Sequence, residues 1–205
     1  MHAEALLPRA AALFPRLARF KNFYLVGGTA LALHIGHRIS VDFDLFSAQA
    51  LPPTLLRRVK RIFARASVTV TYRAPEQLNL LIDNVKCTFF RFEYPIVEAV
   101  SHYHRVPLVS LRELAAMKAF AIGKRLAYKD YVDWYFMLKE KHVQLAEVIR
   151  VAKKKFKHDF SDRLFLGQLV SLADVPTQKI DFLRGEVERG TIQKFLEKTV
   201  RQYKI

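Results

Sequence analysis

Between Leu25 and Phe46 an apolar segment runs into a glycine pair, Gly27-Gly28. Thirteen residues later two aspartates alternate with apolar neighbours in Val41-Asp42-Phe43-Asp44-Leu45-Phe46. A period of two places Asp42 and Asp44 on one face of a strand and Phe43 and Leu45 on the other. Two carboxylates side by side repel unless something positive lies between them, and a divalent cation is the usual solution. The glycine pair opens a predicted short helix over Thr29–Gly36, whose free N–H groups and positive dipole end suit a phosphate. A phosphate cradle beside a metal pair is the equipment of nucleotidyl transfer.

The rest of the chain supplies a sheet and then helices. Residues 2–20 read as a helix disturbed by Pro8 and Pro15, followed by strands over 23–26 and 41–46. Between Pro53 and Ala66, Leu55, Leu56, Val59, Ile62, Phe63 and Ala66 recur at helical spacing. Ser67–Arg73, Leu78–Asp83 and Val85–Phe92 read as strands, the last two joined by a tight turn at Asp83-Asn84. Pro95 and Pro107 bracket a stretch expected to be irregular. From Leu111 onward the pattern is helical, with breaks near Lys129, His142, Phe160 and Asp174-Val175-Pro176. This order predicts an α+β or α/β fold with a helical C-terminal part. The expected division is a core over residues 1–105 and a helical region over 106–205 packed on it.

Composition narrows the setting. With 205 residues and 51 % apolar side chains the chain can bury a real core. Its single cysteine, Cys87, excludes an intrachain disulfide and fits a reducing cytoplasm. Phe23–Ile35 is the longest apolar run and is broken by Gly27-Gly28, so no membrane span is expected. The Arg- and Ala-rich first 21 residues mimic a transit segment, but an amphipathic first helix beside the sheet is the simpler reading. A net charge of +15 points to a polyanionic partner. Between Leu45 and Pro75 there is no acid, against Arg57, Arg58, Lys60, Arg61, Arg65 and Arg73, and Lys153-Lys154-Lys155-Phe156-Lys157 is a second basic run. Two such regions favour RNA held by its backbone, although one basic helix face alone is often only a solvated surface.

Each candidate has a plainer alternative. Asp42 and Asp44 as metal ligands compete with two solvated aspartates, which is unusual because Asp is depleted in strands. Gly27, Gly28 and Thr29, the last adding a hydroxyl, are read as binding phosphate, against an ordinary strand-to-helix turn. Arg38 and Ser40 lie near the carboxylates in sequence, and a phosphate contact for Arg38 weighs equally with a solvated arginine. Lys118 is the lone charge in Leu114-Ala115-Ala116-Met117-Lys118-Ala119-Phe120-Ala121-Ile122-Gly123 and must meet an anion or reach water. Asp130 and Asp133 share a helix face, with pairing to Arg125 as the structural reading. His102 and His104 resemble half a metal site but have no acid or cysteine beside them. Cys87 reads as a small core residue, His34 as packing, and His37 as a residue facing the site.

Gly27-Gly28-Thr29-Ala30-Leu31-Ala32-Leu33 with Gly36-His37-Arg38-Ile39-Ser40-Val41-Asp42-Phe43-Asp44-Leu45-Phe46 resembles the AbiEii/AbiGii abortive-infection toxins. Leu114–Arg125 followed by Lys129-Asp130-Tyr131-Val132-Asp133-Trp134 resembles the same family, within the DNA polymerase β-like nucleotidyltransferases. The resemblance implies a mixed α+β sheet and Mg²⁺ (or Mn²⁺) on Asp42 and Asp44. It also implies an NTP held by Gly27–Thr29, Arg38, Ser40, Lys118 and Arg125, with Asp130 assisting as acid or base. NMP transfer to RNA, with tRNA as acceptor, and a cognate antitoxin follow from the same analogy. The chain departs from the superfamily where a third carboxylate is usual: Val85-Lys86-Cys87-Thr88-Phe89-Phe90-Arg91-Phe92-Glu93 has no acid at its centre. That gap motivates a second reading, a fold that binds nucleotide or RNA without turnover. A cationic small acceptor such as an aminoglycoside is disfavoured by the positive charge.

Overall fold

The sheet is built around the strand that carries the two aspartates. In the computed structural model, which describes residues 1–122, 124–125 and 127–203, that strand is β2 (Asp42–Ser47). It pairs antiparallel with β1 (Tyr24–Val26) and parallel with β5 (Val85–Arg91). β4 (Gln77–Ile82) and β3 (Val68–Ala74) extend the β5 side as antiparallel neighbours. On the other side β7 (Val106–Val109) runs parallel to β1 and is flanked by β6 (Val100–Tyr103). The order is β3-β4-β5-β2-β1-β7-β6. The fold is α+β, as expected.

Alternation along β2 assigns its faces. Phe43 and Leu45 are fully buried, whereas Asp42, Asp44 and Phe46 are only half-buried on the opposite side. Behind Phe43 lies the N-terminal segment, α1 (Pro8–Leu13) and a 3₁₀ stretch over Phe14–Arg19. Pro8 starts α1 and Pro15 lies in the 3₁₀ turn, so the prolines divide the expected helix without preventing its packing beside the sheet. Phe14 meets Phe43 at 5.8 Å, and Phe20 meets Phe89 at 5.0 Å. α3 (Leu55–Ile62) closes this side with Leu55, Val59 and Ile62, followed by Phe63. Each such aromatic buried in full contributes on the order of 1.5–3 kcal/mol.

The helical part covers the aspartate face. α4 (Leu111–Ala121) is capped by Ser110, whose hydroxyl accepts from the Glu113 N–H. α5 (Tyr128–Lys139), α6 (Leu145–Phe156), α7 (Asp162–Leu169) and α8 (Arg189–Gln202) follow. The segment before α8 runs beside residues 37–39, where Leu183 N–H donates to the His37 carbonyl and Ile39 N–H to the Asp181 carbonyl. Arg184 donates to the carbonyls of Ile35 and Gly36, fixing the turn that follows α2 (Gly27–Ile35).

The stretch expected to be irregular between Pro95 and Pro107 contains the β6–β7 hairpin. Its turn residues, His104 and Arg105, both have positive φ, as do Asp83 and Asn84 in the β4–β5 turn. Asp-Asn carries a recognisable turn signal and His-Arg does not. The division expected at 105/106 falls inside this hairpin: the last sheet strand ends at Val109 and the helices begin at Leu111.

Candidate active site

Gly27 ends β1 and enters α2 with φ near +71°, a conformation that glycine adopts without cost. A Cβ there would overlap the Asp44 carboxylate, and one at Gly28 would meet the Arg38 guanidinium. The glycine pair therefore lets a carboxylate and a cation approach the backbone from either side. α2 has no side-chain cap at its N-terminus, leaving its first N–H groups to an outside acceptor. Thr29 does not add a free hydroxyl. It is buried, 2.8 Å from Ser40 Oγ and hydrogen-bonded to the Asp42 carbonyl. Thr29 thus braces β2 against α2 through Ser40 and the Asp42 carbonyl.

Asp42 and Asp44 stand open. Among the described residues neither carboxylate has an ion pair or a hydrogen bond. Burial, and then the charge of Asp42, push the Asp44 carboxyl above its usual range, against the pull of Arg125, Lys129 and Lys86. Across the sheet Asp42 faces Lys86 and Asp44 faces Thr88. Among the described residues no cluster of three His, Cys, Asp or Glu forms a metal site.

A second pair of aspartates lies deeper, on α5. Asp133 is completely buried. It accepts from Arg38 Nε at 2.7 Å and Arg38 Nη2 at 3.1 Å, and lies 2.6 Å from His37 Nε2. Lys118 Nζ sits between the pair, 2.7 Å from Asp130 and 2.6 Å from Asp133. Arg125 adds two hydrogen bonds to Asp130, at 2.8 and 2.9 Å. Burial opposes ionisation, but Arg38 and Lys118 hold Asp133 well below the usual carboxylate range, and Lys118 and Arg125 lower Asp130. Burial also pushes the His37 imidazole down, against its bond to Asp133, and Nδ1 is buried without a partner.

Several of the expected residues have partners within the protein. Lys118 lines the cleft, yet its ammonium is bound by two carboxylates and does not reach out for phosphate. Arg38 is neither solvated nor free, because its fork is bidentate on Asp133. Asp130 is paired with both Lys118 and Arg125, whose charges lower its carboxyl against burial. Arg125, between α4 and α5, is half-exposed and faces the cleft while bonded to Asp130. His34 packs as expected, against the Val109 carbonyl at 2.9 Å. Cys87 is a core residue whose thiol is pushed up to about 12 by burial.

Between the aspartate face and α4 lies an open cleft of about 480 Å³. Gly27, Asp44, Lys118 and Arg125 line it, together with residues that the sequence reading did not single out: Phe46, Gln77, Asn79, Lys86, Thr88, Phe90 and Phe92. Their signal was present in the alternation of β4 and β5. Once β2 pairs with β5, Lys86, Thr88 and Phe90 share the face of Asp42, Asp44 and Phe46.

The profile of the family described as nucleotidyl transferase AbiEii toxin, type IV TA system, matches residues 11–202. The chain belongs to the AbiEii nucleotidyltransferase toxin family. An uncharacterized Aquifex aeolicus protein, aq_aa25, is 30 % identical over 185 residues, covering 89 % of this chain and 88 % of that one. A crystal structure of a candidate nucleotidyltransferase from H. pylori superposes with a TM-score of 0.61 at 20 % identity, over 93 % of this chain and 89 % of the other. JHP933 from Helicobacter pylori gives 0.52 at 16 % identity, over 96 % and 97 %. These two share the fold. For this AbiEii-family nucleotidyltransferase, no described helix is long and apolar enough to cross a membrane.

Proposed function

We propose that this AbiEii-family protein transfers NMP from an NTP to an RNA acceptor, a tRNA by family analogy, as the toxin partner of a cognate antitoxin. The observation that carries the reading is the unpaired Asp42–Asp44 couple beside the uncapped start of α2. The donor set fits Mg²⁺ or Mn²⁺: adjacent carboxylates with no ion pair among the described residues, one of them pushed up by burial and then by the other's charge. When bound there, the divalent ion supplies neutralisation across the triphosphate and the departing pyrophosphate. The N–H groups of Gly27 and Gly28 would orient the phosphates, and Lys86 and Arg125 would balance their charge from the cleft walls. Lys118, Arg38 and Asp133 act beneath them as a rigid charged base for α2, with Arg38 packed on Gly28. The acceptor hydroxyl attacks the α-phosphorus, the bond to pyrophosphate breaks, and the hydroxyl proton leaves to solvent in the open cleft. Asp130 and Asp133 take no part in that transfer because cations hold both ionised.

The test uses each α-³²P-labelled NTP with Mg²⁺ and total tRNA, comparing wild type with Asp42→Ala/Asp44→Ala. Label on RNA with wild type alone is the expected result, and it names nucleotide and acceptor together. No label from any NTP, with nucleotide still bound, favours the second reading of binding without turnover. Lys86 and Thr88 opposite the aspartates, where a third carboxylate would sit, are the observation behind that reading.

A further inference from the structure

The cleft changes character along its length. At one end are Asp44 and, across the strand pair, Thr88, with Lys86 beyond it. Two residues further along β2 and β5, about 7 Å at the strand rise, the same face presents Phe46 and Phe90. Phe92 joins them, with ring centroids 5.2 Å apart for Phe46–Phe90 and 5.3 Å for Phe46–Phe92. All three rings are half-buried and line the cleft, so apolar aromatic surface is exposed to it next to the carboxylates. β4 lies on the far side of β5, with Asn79 beside Thr88 and Gln77 beside Phe90. Gln77 Nε2 donates to Asn79 Oδ1 at 3.0 Å, which fixes both amides. Among the described residues the Asn79 NH₂ and the Gln77 carbonyl oxygen have no protein partner, although both side chains line the cleft. A donor and an acceptor are thus held side by side at the rim of an aromatic floor.

From this arrangement we infer that the Phe46–Phe90–Phe92 floor with the Gln77–Asn79 amide pair is a nucleobase site, which stacks one base and reads its hydrogen-bonding edge. The inference rests on the nucleotidyltransferase reading, because continuity with Asp42 and Asp44 is what makes the occupant a phosphate ester carrying a flat heteroaromatic ring. Other apolar ligands would leave the paired amides unused. A base on the floor, with its phosphates towards Gly27 and Asp44, uses both ends of the cleft. Base–aromatic stacking tolerates any base, so selectivity falls to Gln77 and Asn79. The base has two possible sources, the incoming NTP and the 3′ end of the RNA, with the same chemistry in each.

Equilibrium binding in Mg²⁺ separates them. The full chain is titrated with ATP, CTP, GTP, UTP and base-free inorganic tripolyphosphate, and with RNA oligonucleotides that differ only in the 3′-terminal base. Wild type is compared with Phe90→Leu, Gln77→Leu and Asn79→Leu, and with the near-isosteric Gln77→Glu and Asn79→Asp, which keep the shape while turning a donor into an acceptor. If the NTP supplies the base, the preferred NTP binds wild type tighter than tripolyphosphate. Phe90→Leu then loses about tenfold in NTP affinity, and the amide substitutions flatten or reorder the ranking of the four NTPs without moving tripolyphosphate. If the RNA supplies it, NTPs and tripolyphosphate bind alike, and the same substitutions flatten the ranking of the oligonucleotides. Rankings unchanged by all five substitutions in both arms overturn the base site and leave the transfer reading standing. A wild type that binds neither nucleotide, tripolyphosphate nor RNA overturns both.

Discussion

Asp42 and Asp44 on β2 and Asp130 and Asp133 on α5 are two pairs of the same residue, one half-buried on the sheet face and one buried in the helical part, and their surroundings are opposed. The strand pair has no ion pair among the described residues, and burial, then the charge of Asp42, pushes Asp44 up. The helix pair is gripped by Lys118, Arg38 and Arg125, which hold both carboxyls down. An unpaired carboxylate couple costs stability and is available to a ligand; a fully paired one holds the structure together and is not. Lys118 and Arg38, conspicuous in the sequence, are held by the α5 aspartates, while the less conspicuous Lys86 faces the cleft.

The largest expected effect breaks the strand pair. Asp42→Ala or Asp44→Asn is expected to reduce nucleotidyl transfer by about 10³-fold or more, since several kcal/mol of charge stabilisation goes with the bound cation. The melting temperature of Asp44→Asn, measured without metal, should stay level or rise because a like-charge repulsion is removed. Added Mg²⁺ should stabilise wild type by about 1.4 kcal/mol per tenfold excess over its dissociation constant and leave the double variant unmoved. A fall in stability with intact transfer would reverse the roles assigned to the two pairs.

Breaking the helix pair should do the opposite. Asp133→Ala leaves Arg38 buried without its counter-ion, while Lys118 keeps Asp130, and removing one partner of a buried pair typically costs about 3–5 kcal/mol. For a chain of this size that lowers the melting temperature by roughly 6–20 °C. Lys118→Met should cost less than Asp133→Ala, because Arg38 and Arg125 still face the two carboxylates.

The pH dependence sharpens the same contrast. Asp130 and Asp133 are lowered in the folded chain relative to 3.8, so the unfolded state binds more protons at acid pH. Their contribution is fully present above about pH 4 and is lost as pH falls below 3.8 towards the folded values. Urea unfolding between pH 3 and 7 should show wild type losing stability at the acid end, and Asp130→Asn should show a shallower acid loss from a lower starting point. Equal slopes would mean that the network does not hold Asp130 ionised.

How much of this was legible follows from locality. The Gly27-Gly28 to Asp44 unit reads directly because a strand's period of two and a glycine turn are local properties, and the structure keeps both. The Asp83-Asn84 turn was legible for the same reason, whereas the β6–β7 hairpin was not, because His104-Arg105 adopts positive φ without a residue that announces it. What Lys118, Arg38 and Lys155 bind was not legible at all. Their partners lie 12 or 15, 95 and 42 residues away, and only the packing of α4, α5 and α6 brings them together. Lys86 and the aromatic floor were hidden until the β2–β5 register set them opposite Asp42 and Phe46.

The smallest effect separates the two basic runs. On α3, Arg57, Lys60 and Arg61 are exposed, with Arg65 just beyond the helix, whereas Arg58 lies over Phe20 and donates to the Arg19 carbonyl. The run on α6 looks alike in sequence but is committed. Lys155 is buried against Glu113 at 2.6 Å and donates to the Pro95 carbonyl, Lys153 pairs with Asp162, and Lys154 donates to the Val97 carbonyl. If RNA lies along α3, each single alanine at Arg57, Lys60 or Arg61 should weaken tRNA binding modestly and lower the slope of log affinity against log salt by about 0.7–0.9 per lost phosphate contact. Lys155→Ala should instead leave that slope unchanged and lower the melting temperature, because it strips the partner from buried Glu113, which also accepts from the Val97 and Glu98 N–H groups. A slope that falls with Lys155→Ala and not with the α3 variants would move the RNA path from the α3 side of the sheet to α6.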